Sequence, residues 1–205
     1  NYGASFGGVT VNNVKTIYSN YFAFAALKND GSVVTWGGTT AGGDSSSVSS
    51  NLSSGVKAIY SNGAAFVALK TDNSLVAWGN ANYGGTLPTG GVTNVKIVYS
   101  TGIAFAALKN DGSVVAWGDS AASNPAGDTS SVASSLTSGV KTICSNRYAF
   151  AALKNDGSVV TWGNQTYGGN SSSVSSNLSS GVKAIYSNAA AFVALKTDNS
   201  LVAWG

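Results

Sequence analysis

The sequence predicts an all-β protein, a five-bladed β-propeller built from repeats of about 41 residues. Three observations lead to this prediction. A fivefold internal repeat covers nearly the whole chain. Each copy contains short runs of β-branched and aromatic residues separated by turn residues. No segment shows sustained helical periodicity.

Each copy of the repeat core begins with Val-Lys and ends with Trp-Gly. The Val-Lys pairs start at Val14, Val56, Val95, Val140 and Val182. Residues 1–205 are interpreted as one repeat domain with units at 14–55, 56–94, 95–139, 140–181 and 182–205 plus 1–13. Propellers use four to eight blades of roughly 40–45 residues, so five such units fit this architecture.

Each unit is expected to fold as strands that need a neighbour on either side. The strands of the first unit are predicted at Val14–Ser19, Ala23–Lys28 and Val33–Trp36. Asp30-Gly31 lies between the second and third and supplies the positive φ of a two-residue hairpin turn. The polar stretch Asp44–Leu52 is a candidate fourth, outer strand. Val33-Val34 places apolar side chains on both faces, so the sheet must be covered on both sides.

The beginning of the chain matches the tail of an internal unit. Residues 1–13 align without gaps to residues 82–94, and the last unit stops at Trp204-Gly205 before such a tail. We therefore expect the N-terminal segment to complete the last blade and to close a ring, which protects the sheet edges. The alternative is an open solenoid cut from a longer array.

The segment Ala26–Gly37 reads Ala-Leu-Lys-Asn-Asp-Gly-Ser-Val-Val-Thr-Trp-Gly and recurs five times with small changes. It resembles the signature of the regulator of chromosome condensation repeat, in which Ala-Leu, Asp-Gly, an aliphatic residue and Trp-Gly follow in order. The resemblance implies a β-propeller of four-stranded blades. The chain departs from the family in the loop before Ala-Leu, which lacks the usual Gly and His. The Gly-Gln-Leu-Gly that usually follows Trp-Gly is replaced by variants such as Tyr83-Gly84-Gly85.

The composition argues against an enzyme. The chain has no His, all eight acidic residues are Asp, and its single Cys is Cys144. An imidazole base, a nucleophile–His–acid triad, an internal disulfide and a Cys-cluster metal site are therefore excluded. We expect no catalytic residue, metal site or cofactor, and we interpret Cys144 as a buried free thiol. The sparse charge, a net +3, disfavours nucleic-acid binding, and the absence of a long apolar run disfavours membrane insertion.

Several recurring or variable residues are candidate sites. The loop after the first strand varies most between units, and Tyr21, Phe22, Arg147 and Tyr148 are predicted to contact a partner. Asn-x-Ser/Thr sequons mark candidate glycosylation sites at Asn51, Asn164, Asn170 and Asn177. The tryptophans are predicted to pack between blades, with sugar stacking as the alternative; they are Trp36, Trp78, Trp117, Trp162 and Trp204. The Asp residues of the hairpins are interpreted as turn residues, and the repeated lysines as solvated strand ends.

Low charge with abundant Ser, Thr, Asn and Gly favours an extracellular or cell-surface protein. The leading hypothesis is a non-enzymatic repeat protein that serves as a structural or adhesive surface component. Its expected partners are further copies of itself, other surface proteins or glycans. The alternative is a propeller lectin with one sugar site per blade or blade junction. An intracellular interaction propeller of the exchange-factor type is the least favoured hypothesis, because no interaction feature of the best-known family member maps onto this chain.

Overall fold

The structure is a computed structural model that describes residues 11–119 and 125–205. Within these residues the chain forms five antiparallel sheets of three strands, each ordered as in the sequence. We call the sheets blades 1 to 5. Their strands are β1 Val14–Ser19, β2 Ala23–Lys28, β3 Val33–Gly37, β4 Val56–Ser61, β5 Ala65–Lys70, β6 Leu75–Gly79, β7 Val95–Ser100, β8 Ala104–Lys109, β9 Val114–Gly118, β10 Val140–Ser145, β11 Ala149–Lys154, β12 Val159–Gly163, β13 Val182–Ser187, β14 Phe192–Lys196 and β15 Leu201–Trp204. The all-β prediction is confirmed.

The hairpin between β2 and β3 has a loop one residue longer than predicted. The Gly31 N–H donates to the Lys28 carbonyl at 3.0 Å, and the Lys28 N–H donates to the Ser32 carbonyl at 2.9 Å. Gly31 has a φ of 78°, and Asn73 takes the same position in blade 2 with a φ of 65°. This is the three-residue hairpin loop with a left-handed residue at its end. The Asp-Gly pair therefore predicts the position of the turn correctly, but the turn has a three-residue loop and not a two-residue loop.

Neighbouring blades pack through apolar faces. Between blades 1 and 2, Ala25 and Leu27 of β2 contact a surface formed by Ile59, Phe66 and Trp78. The Phe66 and Trp78 rings are stacked with centroids 5.3 Å apart. Blades 4 and 5 form an equivalent core. The small side chains of β2 let the large aromatic pair of the next blade approach closely, so the core lies between sheets.

Two tryptophans also tie their blade to the preceding linker. The Trp78 Nε1–H donates to the Gly42 carbonyl at 3.0 Å, and the Trp204 Nε1–H donates to the Gly168 carbonyl at 3.1 Å. Both indoles are buried, so each hydrogen bond satisfies a donor that water cannot reach.

Trp162 breaks this pattern. Its Nε1 is buried, and no described residue accepts its hydrogen bond. By position in the repeat, the corresponding carbonyl belongs to Ala126. The segment from Trp117 to Gly127 is three residues longer than that from Trp78 to Gly85.

The linkers are not strands. The predicted fourth strand, Asp44–Leu52, contains instead a 3₁₀ turn at Ser46–Val48. The Asp44 carboxylate accepts the Ser46 N–H at 2.9 Å, and the Leu52 N–H donates to the Val48 carbonyl at 3.2 Å. Ser and Asp side chains compete for backbone groups in this way and favour turns. The blades of the described chain consequently have three strands, and not the four that the family resemblance implies.

Each linker is also fixed to the hairpin of the following blade. The Lys70 ammonium donates to the Asn51 and Ser54 carbonyls, and the Thr71 N–H donates to the Gly55 carbonyl at 2.8 Å. Lys154 makes a similar contact, to the Ser135 carbonyl at 3.0 Å. These lysines, which the sequence analysis interpreted as solvated, therefore hold linkers in place.

The chain divides into two compact units between Val98 and Tyr99, within β7. The predicted completion of the last blade by residues 1–13 falls largely on residues 1–10, which lie outside the described residues. Among the helices of the described ranges, none has the length and apolar character needed to cross a bilayer.

The turn carboxylates predict acid sensitivity. Hydrogen bonds from the Ser32 hydroxyl and the Ser32 N–H lower the pKa of Asp30 to about 2, and the same contacts lower the pKa of Asp72, Asp111, Asp156 and Asp198. A carboxyl group with a lowered pKa stabilises the fold above its unfolded pKa of about 3.9, and that stability is lost as the pH falls through the folded value. We expect the melting temperature, followed by circular dichroism, to fall from about pH 4 to about pH 2. Because hydrogen bonds, more than charges, lower these pKa values, the decrease in melting temperature should persist in 0.5 M salt. A melting temperature that does not change between pH 4 and pH 2 would contradict this account.

The tryptophans offer a matched pair of substitutions. Trp78→Phe removes ring area and also leaves the buried Gly42 carbonyl without its donor, whereas Trp162→Phe removes a donor that has no acceptor among the described residues. We expect Trp78→Phe to lower the free energy of unfolding by about 1–3 kcal/mol more than Trp162→Phe. Urea unfolding of both variants measures the difference, and equal losses would refute it.

Candidate interaction surface

One polar side chain fixes each loop between the first and second strands of a blade. Asn146 Oδ1 accepts the Tyr148 and Ala149 N–H groups, each at 2.8 Å, and Asn146 Nδ2 donates to the Tyr167 carbonyl at 2.7 Å. Equivalent side chains in the other blades are Asn20, Asn62, Thr101 and Asn188. In every blade this Asn or Thr side chain accepts backbone N–H groups of the loop, while the two residues after it vary.

In blade 1 these two residues are aromatic and face solvent. Tyr21 is 69% exposed and Phe22 is 41% exposed. Their rings meet edge to face with centroids 6.2 Å apart. Aromatic side chains in this setting supply a rigid apolar contact with a polar hydroxyl at one end.

In blade 4 the same positions carry a cation and an aromatic ring. The Arg147 guanidinium lies 5.4 Å from the centroid of the Tyr148 ring, and the Tyr148 ring lies 4.4 Å from that of Tyr167. Arg147 is exposed, and the two tyrosines are half-buried. Stacking of a guanidinium on an aromatic ring orients its donors while leaving them accessible.

Backbone hydrogen bonds join the loops of adjacent blades. The Gly102 N–H donates to the Arg147 carbonyl at 2.8 Å, and the Arg147 N–H donates to the Ala189 carbonyl at 3.4 Å. In the other unit, the Tyr21 N–H donates to the Gly63 carbonyl at 3.4 Å. The loops of blades 3, 4 and 5 thus lie side by side, and Arg147 stands in the middle of the row. Of the four predicted partner residues, the structure brings Tyr21 to Phe22 and Arg147 to Tyr148.

The sequons differ in how their asparagines are used. Asn51, Asn170 and Asn177 are exposed, whereas Asn164 is half-buried. The Asn164 side chain accepts the Thr166 N–H at 3.0 Å, which caps a 3₁₀ turn. Asn170 makes the same kind of bond, since its side chain accepts the Ser172 N–H at 2.9 Å, so both side chains are engaged in the fold.

The tryptophan rings are placed for packing. Trp78, Trp117, Trp162 and Trp204 are buried, and Trp36 is half-buried. Each stacks on a phenylalanine of the adjacent strand, with centroids 5.1–5.6 Å apart. The four buried rings are engaged in packing, and Trp78 and Trp162 also line grooves at the edges of their blades.

Two grooves were not predicted from the sequence. One, of about 550 Å³, lies on blade 2 between β6 and the preceding linker, and is lined by Asn51, Trp78 and Leu87 among others. The other, of about 560 Å³, lies on blade 4 between β12 and the preceding linker, where Gln165 and Asn170 line it. The grooves were not expected because the predicted fourth strand would fill this edge of the blade. The turn-forming Asp44 and the serines after it were the signal against that strand.

The described residues contain few side chains that could bind a metal ion or react as a thiol. Within residues 11–119 and 125–205, no three His, Cys, Asp or Glu side chains form a group that could hold a metal ion. Each hairpin Asp instead accepts bonds from the Ser two residues later, as Asp30 does from the Ser32 hydroxyl at 2.6 Å. Cys144 is a free thiol that is half-buried, and not fully buried as expected; its Sγ lies 3.4 Å from Ser187 Oγ.

No protein-family model matches this chain, and no curated protein matches its sequence. Solved structures do match. Human WBSCR16 superposes with a TM-score of 0.59 and 17% identity over 94% of this chain and 61% of that one. Prp20p from Saccharomyces cerevisiae, studied for its binding to Gsp1p and histones, superposes with a TM-score of 0.55 and 17% identity over 93% of this chain and 56% of that one.

Yeast RCC1 (Prp20) bound to Kap60 gives a TM-score of 0.56 at 16% identity, over 93% of this chain and 55% of that one. This chain thus spans about three fifths of the length of these structures. The likeness extends over nearly all of the chain, while the low identity limits it to the fold. The succession of five antiparallel blades and the recurrent Ala-Leu…Asp-Gly…Trp-Gly segment agree with it, while the three strands of each described blade are one fewer than the resemblance implies. The chain therefore has the fold of the regulator of chromosome condensation type β-propeller repeat, as its repeated motif predicted.

Proposed function

We propose that this protein is a non-enzymatic repeat scaffold that acts as a structural or adhesive component outside the cell or on its surface. Its partners, surface proteins or glycans, bind at the loops between the first and second strands of the blades. Arg147 and Tyr148 form the centre of this contact in one unit, and Tyr21 and Phe22 form a second contact in the other.

The observation that carries the proposal is the contrast between fixed and variable residues in these loops. In blade 4, the side-chain hydrogen bonds of Asn146 are used within the fold, whereas the Arg147 guanidinium is exposed and lies over the half-buried Tyr148 ring. Aromatic residues and Arg are the residue types most enriched among those that dominate protein interfaces. The low overall charge and the Ser- and Asn-rich linkers support a location outside the cell.

Carbohydrate binding is the second candidate, and the two grooves favour it. Amide and hydroxyl side chains such as Gln165, Asn170 and Ser171 line the groove of blade 4, and they suit sugar hydroxyls as both donors and acceptors. A groove lies at the equivalent edge of blade 2, where Thr86 and Leu87 stand in place of Asn170 and Ser171. Glycan binding at these grooves would leave the loop residues uninvolved.

An exchange-factor role receives support from the fold alone. The yeast neighbour Prp20p is described as binding Gsp1p and histones, but its identity to this chain is 17%. A fold of this kind carries many functions, which reside in particular surface residues. No residue set of this chain argues for that activity.

The adhesion test uses beads coated with the protein and cells of the source organism, with bound beads counted by microscopy. Arg147→Ala/Tyr148→Ala should weaken adhesion about 5–30-fold, the effect of losing one or two central contact residues. The matched control is Ala189→Ser/Ala190→Ser, which changes the same two loop positions in blade 5. Circular dichroism should show both variants folded.

The outcomes separate the candidates. If Arg147→Ala/Tyr148→Ala adheres as well as the control, the loop surface is not the contact. A glycan array that binds the protein, with binding lost in Gln165→Ala/Asn170→Ala and kept in the loop variant, would establish the lectin instead. Antibody labelling of intact, unpermeabilised cells tests the location, and labelling that requires permeabilisation would overturn the extracellular assignment.

A further inference from the structure

The Arg147 guanidinium is a cation without an acceptor in the fold. Arg147 is the single arginine of the chain. Several lysines are engaged, since Lys28 and Lys109 lie beside hairpin carboxylates and Lys70 donates to linker carbonyls. The Arg147 side chain is exposed, and no described residue accepts a hydrogen bond from its guanidinium or forms an ion pair with it. Its donors are therefore available to a ligand.

Two contacts hold the Arg147 side chain in place. Its Cζ lies 5.4 Å from the centroid of the Tyr148 ring. Its stem lies over Gly102 of blade 3, where a β-carbon would come within 3.3 Å of Arg147 Cγ. Because Gly102 carries no side chain, the stem of Arg147 can lie along the neighbouring loop. A guanidinium held in this way loses less conformational freedom when it binds a ligand.

The ring under the guanidinium is itself fixed. The Tyr148 and Tyr167 rings lie 4.4 Å apart, and both residues are half-buried. The Asn146 side chain accepts the Tyr148 N–H at 2.8 Å and donates to the Tyr167 carbonyl at 2.7 Å. One asparagine thus anchors a stack of one cation and two rings to blade 4. The other blades cannot form this stack, because the position of Arg147 is filled there by Tyr21, Gly63, Gly102 and Ala189.

The neighbours of Arg147 in the row of loops are small. Backbone hydrogen bonds join Arg147 to Gly102 at 2.8 Å and to Ala189 at 3.4 Å. Neither neighbour has a polar side chain that could compete for the guanidinium. Neither of the two grooves is lined by Arg147 or Tyr148, whereas small ligands usually bind in concave sites. An exposed cation outside these grooves suits the surface of another protein better than a free sugar.

We propose that the partner bound at the loops of blades 3 to 5 is a protein that presents a carboxylate, and that the Arg147 guanidinium binds this carboxylate through two parallel hydrogen bonds. The planar guanidinium matches a carboxylate in shape and in donor spacing. One cation balances the single charge of a carboxylate, whereas a phosphate group, with a charge near −2, is typically bound by a cluster of arginines. The net charge of +3 favours an acidic partner. This inference rests on the proposed function and names the chemistry of its partner.

The single arginine allows a direct test. Protein made with isotopically labelled arginine gives one guanidinium Nε–H signal in NMR, and that signal belongs to Arg147. The probe is the peptide acetyl-Gly-Glu-Gly-amide, and the control is the same peptide with Gln in place of Glu. We expect the Glu peptide to shift the signal saturably, with a roughly millimolar dissociation constant, and the Gln peptide to bind about tenfold more weakly. No saturable shift, or equal shifts from both peptides, would overturn the proposal.

A matched variant separates a positioned guanidinium from one that is merely exposed. Arg147→Ala/Ala189→Arg moves the cation to the same loop position of blade 5, where Ala190 takes the place of Tyr148. The variant keeps the net charge and the single guanidinium signal. Without the supporting ring, it should bind the Glu peptide about 3–5-fold more weakly than the native protein. Equal affinities would refute the proposal, because any exposed arginine would then bind the carboxylate as well as Arg147 does.

Glucuronic acid offers the same carboxylate on a sugar and tests the class of partner. We expect it to bind no more tightly than the Glu peptide. Binding about tenfold tighter would identify an acidic glycan as the partner and overturn the protein assignment.

The proposed function and this inference can fail separately. Loss of adhesion by Arg147→Ala/Tyr148→Ala, without a carboxylate-dependent shift of the Arg147 signal, would support the proposed function and refute the inference. A carboxylate-dependent shift with unimpaired adhesion of that variant would support the carboxylate site and refute its role in adhesion.

Discussion

Each sheet of this protein is apolar on both faces, and the rest of the structure depends on covering both. A three-stranded sheet cannot bury two faces by itself, so stability arises between blades more than within them. The stacked pair Phe66 and Trp78 shows how this is done. It presents a large, flat surface to the small alanines of the preceding blade, which let the two sheets come close. The linkers add hydrogen bonds to the same junction, through the Trp78 indole and the Lys70 ammonium.

The residues that hold the fold together differ from those that are available for function. The Asn or Thr of each loop and the Asp of each hairpin use their side chains in hydrogen bonds that hold the backbone, as Asn146 and Asp30 show. Only the two residues beside the Asn vary without disturbing it. A repeat protein of this kind can therefore acquire a new contact in one blade, as at Arg147 and Tyr148, and keep every other blade unchanged.

The strands could be predicted from the sequence because their signals are local and recur. The first two strands of blade 1 have the predicted bounds, and the position of each hairpin follows from Asp-Gly or Asp-Asn. The linker was predicted wrongly as a strand because its serines were interpreted as a polar outer face. They act instead through local hydrogen bonds, beginning with the Asp44 carboxylate, and these favour a turn. The grooves were missed for the same reason. The Trp162 indole has no acceptor among the described residues although its motif matches that of Trp78, so the motif alone does not specify this hydrogen bond.

The linkers that fasten each blade to the one before it also have a consequence for biosynthesis. A nascent blade emerges from the ribosome after the linker that will hold its hairpin, so the carbonyls that Lys70 needs at Asn51 and Ser54 are already in place. The Gly42 carbonyl that receives the Trp78 indole is likewise made first. Folding can therefore advance in the direction of translation, with each new blade docking on a finished surface. During synthesis, the apolar face that remains exposed is that of the most recently folded blade, until the following repeat packs on it.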